Sequence, residues 1–328
     1  MLMPISALVV FVLWCVYARI LIDKGVEVNK VAKSGGTAIM FSAGGGHNET
    51  TKLLLEHGAD VNVVVAATPE YIEQVAKAIA EGKEDVEPHK DGVTALVVAA
   101  QGGHLGTVSM LVEAGTEVCV LDDEDMTPLL NAVKGNHAAV ATYLVQHGAD
   151  PNDVFIDEKK KAHNLLMDAI VVNNTEFASL LVEKGANIEY ADEDGVTVLT
   201  QAAYLGEVPI VKALLAAGAD VTAANNEGIT PLIAACSEGH VPVVELLLEH
   251  EGVDANARDK DGTSAVMAAA VRGHKVDSFV IVPPFHSTRF HFGCPYFGVF
   301  QDVVEALVKK AADVNAQNVD GHTALMFA

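Results

Sequence analysis

The chain sets 21 Lys and Arg against 44 Asp and Glu over 328 residues, a formal charge of −23; no nucleic-acid partner is expected, and a charged partner should be basic. Half the residues are hydrophobic, too many for a disordered chain, yet they include only eleven Phe, six Tyr and one Trp, so Ala, Val and Leu must build the core at close helix contacts. Cys15, Cys119, Cys236 and Cys294 have no short paired spacing, which indicates neither a zinc motif nor a disulfide framework and fits a reducing, cytoplasmic setting.

The sequence opens with an apolar run at 5–18, short for a membrane span and of suitable length for a signal-peptide core, with Val16-Tyr17-Ala18 as a cleavage site. No Lys or Arg precedes it. Two readings stand: a signal or anchor, which would make the protein secretory or membrane-associated, and an incorrect or truncated start.

From there a repeat governs the chain. The residues opening each first helix are Thr37, Thr94, Thr127, Asn164, Thr197, Thr230, Ser264 and Thr323, in steps of 57, 33, 37, 33, 33, 34 and 59. The two long steps both become 33 when 24 and 26 residues are set aside as insertions. A leucine then falls seventeen positions after each of the first seven: Leu54, Leu111, Leu144, Leu181, Leu214, Leu247 and, once the 26 are removed, Leu307. Residues 19–25 align with 52–58, the end of a second helix, and 323–328 stop inside a first helix. A solenoid without a polar closing unit exposes an apolar face, so the sequence reads as a fragment of a longer protein.

Within one unit, Thr230 caps the first helix and Pro231 suits its first turn. Ala234 and Ala235 keep that helix thin, Gly239-His240 mark a turn, and Val243, Val244, Leu246, Leu247 and Leu248 supply the apolar face of a second helix. Gly58, Gly115, Gly148, Gly185 and Gly218 follow second helices, as left-handed caps do. A polar segment with Asn225 and Asn226 then leads by a turn to the next unit. Two short helices cannot bury their own apolar faces, so the units must stack.

Gly228-Ile229-Thr230-Pro231-Leu232, Asp125-Met126-Thr127-Pro128-Leu129, Gly239-His240 and the run from Leu53 to Asn62 carry a resemblance to the ankyrin repeat family over roughly 19–275 and 302–328. The resemblance implies an all-α solenoid of helix-turn-helix units with hairpin loops, binding other proteins through finger loops and a concave helical face. The unit at Asn164 departs from it, lacking Thr-Pro and following a charged loop at 157–161 that is four residues longer than the norm.

The insertion at 63–90 contains Thr68-Pro69-Glu70, then Ile72, Val75, Ala76 and Ile79 at helical spacing, with Gly82 as a stop. It reads as an added amphipathic helix, either a spacer or a docking element. The insertion at 276–301 is foreign in composition, holding Phe279, Phe285, Phe290, Phe292, Tyr296, Phe297 and Phe300. It begins with Val, whose codons start GT, and ends with Gln, which CAG encodes. An in-frame unspliced intron is the preferred reading and a functional loop the other; a surface loop of this length costs little closure entropy.

His47, His104, His137, His240 and His274 each lie ten residues after a helix-opening residue. Stacked helices are about 8–10 Å apart and a zinc ligand sits about 2 Å from its metal, so these rings cannot share an ion; they should bond backbone at the inter-helix turn. Gly44-Gly45-Gly46 and Gly102-Gly103 lack the context of a phosphate loop. His286, His291 and Cys294 lack a fourth ligand in pattern, and Asn48 and Asn173 open glycosylation triplets at helix starts. No catalytic constellation emerges, so the expectation is a non-enzymatic scaffold without cofactor or metal; alternatives are the regulatory or targeting region of a larger enzyme or channel, and a secreted or tethered repeat protein. Candidate partner-binding residues sit on two acidic fingers: Leu121, Asp122, Asp123 and Glu124, and Glu189, Tyr190, Asp192 and Asp194. There Tyr anchors and acids steer a basic protein, although Asp is also a favoured turn residue.

Overall fold

A computed structural model describes residues 15–65, 73, 77, 92–122, 124–156, 162–277 and 297–327. The chain forms two compact units, 1–162 and 163–328. In the first, helical residues 15–23 are followed by three helix pairs: α1 (Ala38–Gly44) with α2 (Asn48–Glu56), α3 (Ala95–Gln101) with α4 (Leu105–Glu113), and α5 (Pro128–Lys134) with α6 (Ala138–Gln146). The three-residue strand β1 (Val154–Ile156) follows, and β2 (Ala162–Asn164) leads into the second unit. The second unit holds α7 (Leu165–Val171) with α8 (Thr175–Glu183), α9 (Val198–Leu205) with α10 (Val208–Ala216), α11 (Pro231–Glu238) with α12 (Val241–Glu249), then α13 (Ala265–Asp277), α14 (Phe297–Lys309) and α15 (Ala324–Phe327).

Within each unit, first helices pack on first helices and second on second: α1 on α3 on α5, and α7 on α9 on α11 on α13 on α15; α2 on α4 on α6, and α8 on α10 on α12 on α14. This is the all-α stack that the repeat implies. Ala95, Ala99, Ala100, Ala202 and Ala203 are fully buried, so the thin first helices approach closely. Leu111, Leu144, Leu181, Leu214, Leu247 and Leu307 have no exposed surface and Leu54 almost none. Each such side chain stabilises the stack by roughly 1.5–3 kcal/mol.

Helix starts follow the sequence reading. The side chains of Thr94, Thr127, Asn164, Thr197, Thr230 and Ser264 each accept a backbone N–H three residues on, at 3.0–3.4 Å. The glycines after α2, α4, α6, α8 and α10 all take positive φ, as left-handed caps require.

The insertions behave differently. At the first, Val65 N–H donates to Val93 O (2.9 Å) and Gly92 N–H to Val65 O (3.1 Å), so the chain leaves and returns at one place. The helix expected from Thr68 lies outside the described residues, apart from helical positions 73 and 77. At the second, the turn expected at Gly273-His274 is replaced by helix: α13 runs on to Asp277, and α14 begins at Phe297 rather than Asp302. In the other pairs the second helix starts three or four residues after the first ends, whereas α14 starts twenty residues after α13 ends. Most of the aromatic segment, with His286, His291 and Cys294, lies outside the described residues.

Candidate interaction surface

Three of the histidines clip their repeat to the one before it. His104 Nε2 lies 3.0 Å from Gly44 O, His137 Nε2 3.0 Å from Gln101 O, and His240 Nε2 2.9 Å from Tyr204 O. A carbonyl only accepts, so Nε2 carries the proton in each. The ring needs a bare backbone in front of it. Gly206 has φ +75°, and a Cβ there would sit 2.5 Å from His240 Nδ1; at Gly103 the distance to His137 Nδ1 would be 2.4 Å. These histidines are thus architectural, as their spacing implies. Among the described residues no group of three or more His, Cys, Asp or Glu could hold a metal ion.

The finger loops spend many of the acids on their own backbone. Asp122 Oδ1 accepts the N–H groups of Glu124 and Met126 at 3.0 and 2.9 Å, and its Oδ2 accepts from Asn131 Nδ2 at 3.0 Å. Asp192 does the same for Asp194 and Val196 at 3.0 and 2.8 Å, as do Asn225 and Asp259 in the following repeats. Adjacent fingers of the second unit are also tied by backbone: Asn226 N–H to Asp194 O (2.8 Å), Lys260 N–H to Glu227 O (2.9 Å) and Val319 N–H to Asp261 O (2.9 Å). Close approach is possible because Gly228, at φ +81°, carries no Cβ; one would lie 3.0 Å from Asp259 Cα.

The candidate residues therefore separate into two kinds. Asp122 and Asp192 are half-buried turn formers, so a charge reversal at either would disturb the loop as well as the surface. Leu121, Glu124 and Asp194 are exposed, and Tyr190 is half-buried. Glu124 meets Lys134 at 3.7 Å with both side chains in solvent, a weak pairing. Glu189 is exposed, but its Oε1 accepts Asp220 N–H at 3.0 Å. Asp123 lies outside the described residues. Leu121 to Glu124 belong to the first unit and Glu189 to Asp194 to the second, so each finger is a separate candidate.

Sequence reasoning missed the apolar residues at first-helix ends. Val171, Val172 and Tyr204 are 55%, 70% and 44% exposed. Val171 and Val172 close the run Leu-Leu-Met-Asp-Ala-Ile-Val-Val, which reads as continuous core, whereas the helix ends there and turns them outward. In the first unit Phe41 is also exposed, its ring against Gly36.

Three groups have displaced acidities. Burial holds the Asp153 carboxyl above its ordinary range, against the Thr127 hydroxyl that donates to it at 2.6 Å, with Asp150 adding to the rise. The Thr222 hydroxyl and N–H, at 2.7 and 2.8 Å, hold Asp220 below its ordinary range. Burial pushes the Cys236 thiol up. His163 Nδ1 lies 3.1 Å from Asp168 Oδ2, tying β2 to α7.

A family model of ankyrin repeats, in three copies, matches residues 63–155, 153–225 and 222–280, and a single ankyrin-repeat model matches 34–65. No curated protein matches the chain. No helix among the described residues is long and apolar enough to cross a membrane.

Proposed function

The chain belongs to the ankyrin repeat family, whose repeats generally serve protein–protein interaction, and from that premise we propose that it is a non-enzymatic scaffold that holds partner proteins on its finger tips and first-helix faces. The observation that carries this reading is the division of labour among polar residues. Caps, histidine clips and turn-forming Asp and Asn account for the repeated positions, while Leu121, Glu124, Tyr190, Glu193 and Asp194 lie at loop positions that the fold does not dictate. Negative tips on a chain of charge −23 steer basic protein surfaces. Such a partner meets the molecule in the cytoplasm.

The test leaves Asp122 and Asp192 intact. Glu124→Lys, Glu193→Lys and Asp194→Lys together should reduce capture of partner proteins from native extract and lower its salt sensitivity, with an unchanged helical signal. Capture that is unaltered at every salt concentration would move binding away from the fingers.

A further inference from the structure

Two features of the second unit lie on either side of its first helices. On the finger side, the residues three positions before Thr197, Thr230 and Ser264 are Asp194, Glu227 and Asp261, all exposed. Their carbonyls accept the finger-to-finger backbone bonds, so the three acids follow one another along the stack. Among the neighbouring tip residues Lys260 is an exposed cation, and Arg258 donates to Gln317 O at 2.6 Å; the row remains net negative. On the other side, Val171 and Tyr204 hold one register, seven residues into α7 and α9, which pack on each other. With Val172 they make an exposed apolar patch at the helix ends. The corresponding positions of the first unit are Gly44, Gln101 and Lys134.

The floor between these two edges is polar or small. Four residues into each first helix stand Asp168, Gln201 and Ala234, on the same helix face as the position seven residues in. A first helix of seven or eight residues is about 10–12 Å long, and an α-helix with its side chains is of similar width. An acidic edge on the finger side and an apolar edge at the far ends of helices of that length suit the two sides of one amphipathic helix.

We propose that this face docks a basic amphipathic helix of a partner protein. The apolar side of that helix rests on Val171, Val172 and Tyr204, and its Lys and Arg side chains meet Asp194 and Glu227. The proposal rests on the protein-interaction reading and sharpens it to one partner chemistry. Exposed apolar patches of this kind mark interaction sites, a tyrosine supplies a large anchor, and the acids add orientation and rate.

The probe is a synthetic Lys/Leu peptide of about 18 residues, five helical turns, patterned as an amphipathic helix and read by fluorescence anisotropy against the full chain. It should bind at least about tenfold tighter than a scrambled peptide of the same composition. Val171→Ser with Tyr204→Ser should remove that advantage, and Asp194→Asn with Glu227→Gln should weaken binding and flatten its salt dependence, whereas Lys212→Ala on α10 should change nothing. All four altered side chains are in solvent, so the variants should melt as the parent does. Equal binding of patterned and scrambled peptides, or a Ser variant that binds as the parent, overturns the proposal. A random displayed-peptide library separates the two levels. Enrichment of only acidic or uncharged sequences overturns this inference and leaves the interaction reading standing, while enrichment of none counts against both.

Discussion

The repeats opening at Thr230 and Asn164 solve one structural problem with different residues. At Thr230 the first helix has Thr-Pro, ends on Gly239 at φ +78°, and His240 reaches back to Tyr204 O. At Asn164 the cap is Asn, accepting from Met167 N–H at 3.0 Å, the left-handed position is Asn173 at φ +57°, and Asn174 accepts Phe177 N–H at 3.2 Å to cap its own second helix. Leu181 and Leu247 are equally buried. The stack thus demands an acceptor at the helix start, a residue tolerant of positive φ, and apolar positions at fixed register. Asn meets the first two demands because its short side chain bonds locally and tolerates the left-handed region. The Asn164 repeat ends its first helix on exposed Val171 and Val172, where the Thr230 repeat has Ser237 and Glu238.

The largest effect should be shared. Leu181→Ala and Leu247→Ala should each cost about 2–5 kcal/mol in denaturant melts. A loss confined to one of them would show that the two repeats are not equivalent in packing. The turns should then differ. Gly206→Ala must adopt positive φ and also displace the His240 ring, so it should cost more than the roughly 1–2 kcal/mol expected for Asn173→Ala, which forces alanine into the same region without that ring. Adding His240→Ala to Gly206→Ala should recover part of the loss; strict additivity would mean the ring is not what occupies the space. Alone, His240→Ala and Asn174→Ala should each cost about 1 kcal/mol, one by losing a clip and the other a cap.

Much of this was legible in the sequence. The leucine seventeen residues into each unit marked the core, and the histidine ten residues in marked a backbone bond at the turn; that the carbonyl it reaches belongs to the preceding repeat, as for His104, His137 and His240, is visible only in the structure. The finger acids were harder to read. Asp serves equally as a turn acceptor and as a solvated charge, and only geometry separates Asp192, which holds two N–H groups, from exposed Asp194. Val171 and Val172 were hidden by a run whose hydrophobicity continues past the point where burial stops. The overrun of α13 was equally invisible, since Gly273 marks a turn only when a second helix follows at once.

The smallest effects concern acidity. Asp153 is raised by burial, so its folded form favours the proton, and stability is lost as pH rises through its folded value. Asp153→Asn should therefore gain in Tm relative to the parent at about pH 7 and not at about pH 3. Asp220 is lowered by Thr222, so it contributes stability above its ordinary range that is lost as pH falls. Asp220→Asn should lose Tm at about pH 7 and match the parent in acid. The same sign for both would break the distinction between a buried acid and a turn-forming one.

Site-resolved photo-crosslinking in native extract distinguishes a partner on the fingers and first helices from one on the second helices. A benzophenone side chain is placed in turn at Asp194 and Tyr204, on the finger and first-helix face, and at Lys212 and Glu245, on the second helices. Protein adducts should form at Asp194 and Tyr204 and weaken in high salt, with little at the second-helix positions. Adducts formed only at Lys212 or Glu245 would contradict it.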